Sequence, residues 1–316
     1  QTEETAFYLP GSSPLFGVVH RPLRSAPSGR AILMLNEGAN SAVGPQRMWL
    51  ELARQWSARG DTILRLDLSG LADSPAREGE DERMIYSNVV EDDLAQALAW
   101  LHEQEDVQEV TVMGLCSGAY HGFLAAARGL PVQHVVMINP LVYHWEQGMS
   151  WDEVDVSLHQ RDRVSQQTAA AFKPDKWAKL LKGDIGWDRV SQFVRARAKT
   201  SAVSARDWLA DRLGWQLPTR LAWRLGRMQR RGVRVDFLFA KGELGLTKLF
   251  DEGQRALRNG LDGGAFRLHV IEGGNHVFSD SEPRQRLMQT LDSLFHPEQA
   301  NATVTAGTEP LAQARV

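Results

Sequence analysis

The sequence predicts an α/β fold: a mostly parallel central sheet flanked by helices, with a helical lid inserted late in the sheet. Strand-like and helix-like segments alternate over residues 30–139, which is typical of parallel strands joined by crossover helices. The alternation stops at residue 144 and resumes at residue 233. The chain has 316 residues, which is long enough for one large domain with a buried core.

The first predicted elements surround the start of the sheet. Residues 5–9 and 15–20 resemble a hairpin around the turn sequence PGSSP. The apolar run RAILMLN at 30–36 predicts a buried strand. Residues 46–59 place their large apolar side chains on one helical face and end at Gly60, a common helix stop.

The middle of the sheet is predicted from two further apolar runs, at residues 62–68 and 109–113. Between them, residues 88–103 have leucines at helical spacing. Asn88 and Glu91 match a capping box, so we expect this helix to begin at Asn88.

A strand at 134–139 is the last before the alternation stops. Residues 144–232 read as several helices broken by glycine and proline, so we interpret them as a lid between two strands of one sheet. The alternation then resumes with a strand at 233–240, a helix near 247–259, a strand at 266–272 and a helix near 283–295.

The predicted domain organisation follows from this pattern. Residues 1–143 and 233–296 form the core, and residues 144–232 form the helical lid. Residues 297–316 are small and polar, which predicts a disordered tail.

The composition excludes several classes of protein. The net charge of −3 argues against a generally basic nucleic-acid binder, so we expect no nucleic-acid partner. The single cysteine excludes an internal disulfide and favours a reducing compartment. No apolar run approaches the roughly 20 residues of a membrane span, and the first residues lack a secretory signal. We therefore expect a cytoplasmic protein.

The sequence GLCSGA follows the predicted strand at 109–113. A nucleophile on a strand-to-helix turn obeys the pattern G-x-Nu-x-G, because backbone crowds the positions two residues before and after it. With Cys116 as the nucleophile these positions are Gly114 and Gly118, whereas with Ser117 a leucine would occupy the first. The spacing selects Cys116. A buried free cysteine in a turn is the alternative interpretation.

The same turn predicts how the thiol is activated and how an oxyanion is held. A helix N-terminus and a nearby imidazole both favour the thiolate of Cys116. The backbone N–H of Ser117 is one expected oxyanion donor. The second is expected from the loop LNEGANSAVGPQ, at Gly38 or Ala39, although the glycine there can equally serve only the turn.

The general base is predicted in the loop VIEGGNHVF, which follows the last strand and contains His276. A surface histidine is the alternative, and His121 is expected to be a packed histidine. The orienting carboxylate is predicted at Glu243, three residues after the strand at 233–240. Asp236, in mid-strand, and Asp251, in the next helix, are less suited to this role.

The predicted lid is basic, with 17 lysines and arginines against 10 acidic residues. Four arginines at helical spacing form a stripe that is able to dock an acidic carrier protein, or is simply a solvated helix face. The lid also holds seven of the ten tryptophans, some of which are candidates to line an acyl pocket, although most are expected to form the lid's own core. The candidate contacts are Trp145, Trp151, Arg220, Arg224, Arg227 and Arg231.

These motifs resemble the α/β-hydrolase superfamily. The elbow GLCSG, the segment RLDLSGLADS, the late KGE and the final GGNH fall in family order over roughly residues 15–295. The stretches INPLVYHWEQGMSWD and FAKGELGL look like the lidded hydrolases of the serine-aminopeptidase-like or exosortase-associated group. This chain departs from most of these in its cysteine nucleophile. Dienelactone hydrolases share that cysteine without a lid of this size, and several acyltransferases acting on carrier proteins are similar in using it.

The sequence therefore predicts an enzyme that forms an acyl-cysteine thioester, most simply a thioesterase or esterase. Transfer of an acyl or aminoacyl group to or from a carrier protein or amine is one alternative. A non-catalytic binding protein that kept the fold is another. Neither a metal-ligand cluster nor a phosphate-binding glycine loop is present in the sequence, so we expect no metal and no cofactor.

Overall fold

The computed structural model describes residues 1–11, 13–105, 107–145 and 221–297. Most of the predicted lid at residues 144–232 lies outside the described residues, namely residues 146–220 with Trp151 and Arg220. So does the predicted tail over residues 298–316.

Eight strands form a single sheet in the order β1-β2-β4-β3-β5-β6-β7-β8. β1 pairs antiparallel with β2, and β2 pairs antiparallel with β4; every later pairing is parallel. The predicted fold class, an α/β-hydrolase fold with a mostly parallel sheet, is confirmed. The strands are β1 (Thr2–Leu9), β2 (Leu15–Pro22), β3 (Arg30–Leu35), β4 (Thr62–Leu66), β5 (Glu109–Leu115), β6 (His134–Ile138), β7 (Arg234–Ala240) and β8 (Phe266–Ile271).

Helices cover both faces of the sheet. Alternate residues of each central strand enter two separate apolar clusters, as the period of two requires: Leu33 lies in one cluster, and Ile32 and Met34 lie in the other. The first cluster packs against α2, α3, α4 and α5, and the second against α1 and α6. The helices are α1 (Met48–Ser57), α2 (Val90–Gln104), α3 (Ser117–Arg128), α4 (Leu221–Arg230), α5 (Leu244–Asp262) and α6 (Ser281–Phe295).

The start of α2 differs from the prediction. The helix begins at Val90 and its N-cap is Val89, which makes no side-chain cap hydrogen bond, so the helix begins two residues later than the expected start at Asn88. Val89 already has helical backbone angles (φ −72°, ψ −14°), so the chain becomes helical directly after Asn88. Three acidic residues lie in the first turn of α2, where their negative charges interact favourably with the positive end of the helix dipole.

Three arginines of the predicted stripe donate hydrogen bonds to backbone carbonyls of neighbouring segments. Arg224 is buried and donates from Nη1 to the carbonyl of Tyr143. Arg227 donates to the carbonyl of Arg128 (3.1 Å), and Arg231 donates to the carbonyls of Ala126, Gly129 and Leu130. These carbonyls belong to the C-terminal end of α3, where a helix lacks internal donors.

These contacts bear on the predicted docking stripe, of which Arg224, Arg227 and Arg231 lie among the described residues. The apolar face of α4 packs on the core through Leu225 and Met228 and brings the neighbouring arginines against α3. Arg224 is buried, which makes it unsuited to contact a carrier protein, so this part of the prediction is corrected. Arg227 is partly exposed and Arg231 is exposed, and a docking role for these two stays a prediction. None of the described helices combines the length and the apolar character needed to cross a bilayer.

Candidate active site

Cys116 lies on the tight turn between β5 and α3, as the N-cap residue of α3. Its backbone angles are φ 55° and ψ −111°, a sparsely populated and strained conformation for a residue with a side chain. A Cβ added at Gly114 would lie 2.2 Å from the backbone of Gly118, and one added at Gly118 would lie 2.5 Å from the carbonyl oxygen of Asn36. The turn therefore requires glycine at both flanking positions. The neighbouring backbone crowds these positions, as the spacing argument assumed.

His276 and Glu243 come from two different loops at the carboxyl ends of neighbouring strands. Glu243 is the N-cap residue of α5 and follows β7 by three residues, and His276 lies in the loop after β8. The Nδ1 atom of His276 lies 3.1 Å from Oε2 of Glu243. Nε2, the ring nitrogen that faces away from Glu243, makes no hydrogen bond among the described residues.

The charge state of His276 depends on both partners. Burial lowers the pKa of the imidazole, but the side chain of Cys116 and then that of Glu243 outweigh burial and raise it to about 10. His276 therefore carries a second proton at neutral pH.

The other carboxylate considered in the same strand lies elsewhere. Asp236 is fully buried towards the amino end of β7, where it bonds Nε2 of His134 (2.7 Å), Nε2 of His269 (3.0 Å) and the guanidinium of Arg267. Asp236 thus serves an internal ionic cluster, and Glu243 is the carboxylate next to His276.

The expected oxyanion donors have different surroundings. The backbone of Ser117 opens α3 directly after the nucleophile. The N–H of Gly38 donates to Oγ of Ser117 at 2.9 Å, so an oxyanion must share or displace this hydrogen bond. Ala39, the other candidate, is exposed one residue further along the same loop.

A buried polar pair, Asn36 and Asp67, fixes the loop that contains Gly38 and Ala39. Nδ2 of Asn36 donates to Oδ1 of Asp67 (2.8 Å), and the same oxygen accepts from the N–H of Ala42 (2.6 Å). Burial raises the pKa of Asp67, while the N–H of Ala42 and then that of Asp73 oppose the rise. The two ends of the loop are thereby tied to the end of β4.

The comparisons with known proteins identify the family and the fold. Residues 33–220 match the sequence profile of the alpha/beta hydrolase fold, which is more than half of the chain. The chain belongs to the α/β-hydrolase family. The match contains Cys116 and ends before Glu243 and His276.

Among solved structures, this α/β hydrolase resembles a dienelactone hydrolase from Anabaena variabilis ATCC 29413, with 15% identity and a TM-score of 0.51 over 93% of this chain and 97% of the other. It also resembles the alpha/beta hydrolase GrgF from Penicillium sp. sh18, with 17% identity and a TM-score of 0.50 over 93% and 98% of the two chains. At these identities the likeness shows the fold alone. No curated protein sequence matches the chain.

Three side chains at the site of this hydrolase are absent from the residues predicted by sequence. The first is Asn139, which follows β6 with φ 43°. Its Nδ2 donates to the carbonyl of His276 (2.7 Å), and its Oδ1 accepts from the N–H of Ala240 (2.8 Å). An asparagine at a strand end is a weak signal, although asparagine is among the few residues that tolerate positive φ.

The second is Glu37, in the loop that holds the oxyanion candidates. It is half-buried, and burial raises the pKa of its carboxyl, while Asn40 and then His276 lower it. A second carboxylate thus acts on the imidazole. The sequence signal for Glu37 was its position in the loop that was predicted to hold an oxyanion donor.

The third is Tyr86, in the loop between β4 and α2. Its ring stacks on Trp145 with centroids 4.5 Å apart and meets Tyr120 edge-on at 5.3 Å. Trp145, predicted to contact substrate, is thus part of an aromatic group beside the elbow. His121 is buried as expected, and its Nε2 bonds the carbonyl of Ile85 (2.7 Å).

Proposed function

We propose that this chain is an acyl-transfer enzyme that works through an acyl-Cys116 thioester, most simply as a thioesterase or esterase. One observation carries the proposal: a strained elbow holds the chain's single cysteine beside an imidazole, and a carboxylate orients that imidazole. A merely structural cysteine needs neither the positive φ nor the charged partner. The proposal keeps the lidded serine-aminopeptidase-like or exosortase-associated hydrolases as the subgroup and departs from them in the nucleophile.

The acylation step uses the thiolate and the imidazolium together. The sulfur of Cys116 attacks the carbonyl carbon of an ester or thioester, and the C–S bond forms as the carbonyl electrons move to oxygen. The N–H of Ser117, with that of Gly38 or Ala39, stabilises the oxyanion. When the carbonyl reforms, the leaving alkoxide or thiolate departs and takes the proton from Nε2 of His276, which becomes neutral.

The deacylation step reverses the proton transfer. Neutral His276 accepts a proton from a water molecule, and the oxygen of that water attacks the thioester carbon. The C–S bond then breaks. The thiolate of Cys116 and the imidazolium are restored, and the carboxylic acid leaves. Glu243 holds the ring in one orientation through both steps. An amine or thiol in place of water gives transfer from the same intermediate.

Intact-protein mass spectrometry tests the proposal. The protein and a Cys116→Ala variant are incubated with a panel of acyl and aminoacyl thioesters, with and without amine or thiol acceptors. We expect an acyl adduct on the wild type only. Decay of the adduct in water indicates a hydrolase, and decay only after an acceptor is added indicates a transferase. Turnover by Cys116→Ala at the wild-type rate contradicts the proposal.

A further inference from the structure

We infer that the side-chain hydroxyl of Ser117 is a further catalytic group, which donates a hydrogen bond to the oxyanion that forms when Cys116 attacks a carbonyl. The inference rests on the proposed role of Cys116 as the nucleophile. It adds a side-chain donor to the backbone N–H of the same residue, and it assigns the N–H of Gly38 to the hydroxyl rather than to the oxyanion.

The hydroxyl of Ser117 lies between the elbow and the predicted oxyanion loop. Ser117 is the first residue of α3, directly after Cys116. The chain that leaves β3 crosses this turn closely, because a Cβ added at Gly118 would lie 2.5 Å from the carbonyl oxygen of Asn36. Two residues after Asn36, the N–H of Gly38 donates to Oγ of Ser117 at 2.9 Å. The loop and the elbow therefore meet at this hydroxyl.

The same hydrogen bond uses an N–H that was one of the two expected loop donors. An oxyanion held by Gly38 would lie at hydrogen-bond distance from its N–H, which is the position that Oγ of Ser117 occupies. Gly38 has φ +55°, and a Cβ added there would meet no described atom within 4 Å. Glycine is thus required here for the backbone angles of the turn, which directs this N–H at the hydroxyl.

The hydroxyl still has a proton to donate. A serine hydroxyl donates one hydrogen bond and accepts up to two. Oγ of Ser117 accepts from Gly38, whereas its proton has no acceptor among the residues that the structure describes. Ser117 is only 2% exposed, so bulk water does not supply that acceptor. An unmatched buried donor costs free energy, and an oxyanion beside it provides the missing partner.

The N–H of Gly38 strengthens this donor. A hydroxyl that accepts a hydrogen bond is polarised by it and donates more strongly, above all in a site of low dielectric constant. The oxyanion then receives two hydrogen bonds from Ser117, one from its N–H and one from its hydroxyl. Both groups lie at the N-terminus of α3, where the helix dipole also favours negative charge.

The loop has anchors other than Ser117. Nδ2 of Asn36 and the N–H of Ala42, near the two ends of the loop, both donate to Oδ1 of Asp67, at 2.8 Å and 2.6 Å. These hydrogen bonds remain when the hydroxyl of Ser117 is removed. A variant without the hydroxyl should therefore keep the loop in place and lose only the donor.

Two reactions of the same sulfur separate this role from a general effect on the thiol. The thiolate of Cys116, the only cysteine, attacks the carbonyl of p-nitrophenyl acetate, passes through an oxyanion and releases p-nitrophenolate. Its attack on iodoacetamide displaces iodide from a methylene carbon, and no oxyanion forms. Both rate constants are measured for the wild type, Ser117→Ala and Ser117→Gly, with p-nitrophenolate release by Cys116→Ala subtracted. The control is Ser57→Ala, which removes a buried hydroxyl at the end of α1.

We expect Ser117→Ala to lower the rate constant of acetylation by about 100-fold, the typical loss for one oxyanion donor, and to leave that of alkylation unchanged. Ser117→Gly also lacks the hydroxyl and should show the same selective loss if the alanine variant is poorly folded. Ser57→Ala should change neither rate constant. Amide hydrogen exchange at Asn40 and Ala42 should be the same in the wild type and in Ser117→Ala. Thermal melting verifies folding in each case.

Acetylation of folded Ser117→Ala and Ser117→Gly at the wild-type rate or faster overturns the inference, because the hydroxyl would then be inert or would block Gly38. Equal losses of acetylation and alkylation overturn it as well. So does faster amide exchange at Asn40 and Ala42 in Ser117→Ala, which would reduce Ser117 to a support of the loop.

Failure of the proposed function gives a different result. A selective loss of acetylation in Ser117→Ala, together with an acetyl adduct on the wild type that neither water nor an added acceptor removes, would keep the hydroxyl as an oxyanion donor and reject only the proposed enzyme. A wild-type Cys116 that is alkylated but not acetylated would reject both.

Discussion

The side chain of Asn139 donates a hydrogen bond to the backbone carbonyl of His276, 2.7 Å away, and accepts another from the end of β7. One side chain therefore ties the loop of the proposed base to the strand that precedes Glu243. The distance between His276 and Glu243 depends on this link as well as on their own hydrogen bond.

Asn139→Ala should lower kcat on a p-nitrophenyl ester by about 10- to 100-fold, because it leaves the His276 carbonyl and the Ala240 N–H unpaired and loosens the base. KM should change little, since no substrate contact is removed. The matched control is Asn259→Ala, an exposed asparagine on α5, which should retain the wild-type kcat. Equal losses in both variants would contradict the positioning role of Asn139.

Cys116→Ala should lower the pKa of His276 from about 10 towards its ordinary value. Burial already lowers this pKa, and Cys116 is the first of the two groups that raise it. Histidine NMR titration of the wild type and the variant measures the change. Glu243→Gln should lower the same pKa by removing the second group. A His276 pKa that is the same in all three proteins would show that neither group acts on the imidazole.

Gly114→Ala should destabilise the fold by about 3 kcal/mol, because the new Cβ would lie 2.2 Å from the backbone of Gly118, which has no flexible atom to yield. Gly232→Ala is the comparison: its φ is +71° with no atom within 4 Å, so it carries only the backbone penalty of about 1 kcal/mol. Chemical denaturation measures both values. Equal losses of stability in the two variants would show that the backbone does not crowd Gly114.

Cys116→Gly should be more stable than Cys116→Ala by about 1–2 kcal/mol, because glycine adopts φ 55° and ψ −111° without the strain that a Cβ imposes. Both variants lack the thiol, so the difference between their stabilities reports on the backbone strain at residue 116. Thermal and urea unfolding provide the comparison. A glycine variant no more stable than the alanine variant would indicate an unstrained turn.

Asp236→Asn should destabilise the fold by about 3–5 kcal/mol at pH 7, because it removes the anion from a buried ionic cluster. Burial alone raises the pKa of Asp236, but His134, then His269 and Arg267, hold it far below its usual range. Its folded pKa is thus below its unfolded value of about 3.9, so its contribution is complete above that pH and is lost as the pH falls further. Urea unfolding from pH 2 to pH 7 should show a weaker acid dependence below pH 4 in the variant.

The fold was predictable because its signals are local. Apolar runs and their alternation identified the strands around the elbow, and chain order alone brought the loops of Glu243 and His276 to the same edge of the sheet. The start of α2 was predicted to within two residues, because the preceding loop has no periodicity that marks the first hydrogen-bonded turn.

The rest of the site depends on contacts between distant segments. Tyr86 lies 30 residues before Cys116 in an irregular loop, and its position depends on the packing of its ring against α3. Asn139 meets the His276 loop 137 residues later in the chain. No periodicity or spacing reports such contacts, and the burial of Arg224 was missed for the same reason, because its carbonyl partner belongs to Tyr143, 81 residues earlier in the chain.

The hydrogen bond from Arg224 to the carbonyl of Tyr143 joins the two places where the chain leaves and rejoins the described core. The contact therefore closes the described core at the point where the chain departs from it. A change in the sequence between residues 145 and 221 leaves this hydrogen bond and its two partners in place, so the sheet and the elbow keep their register.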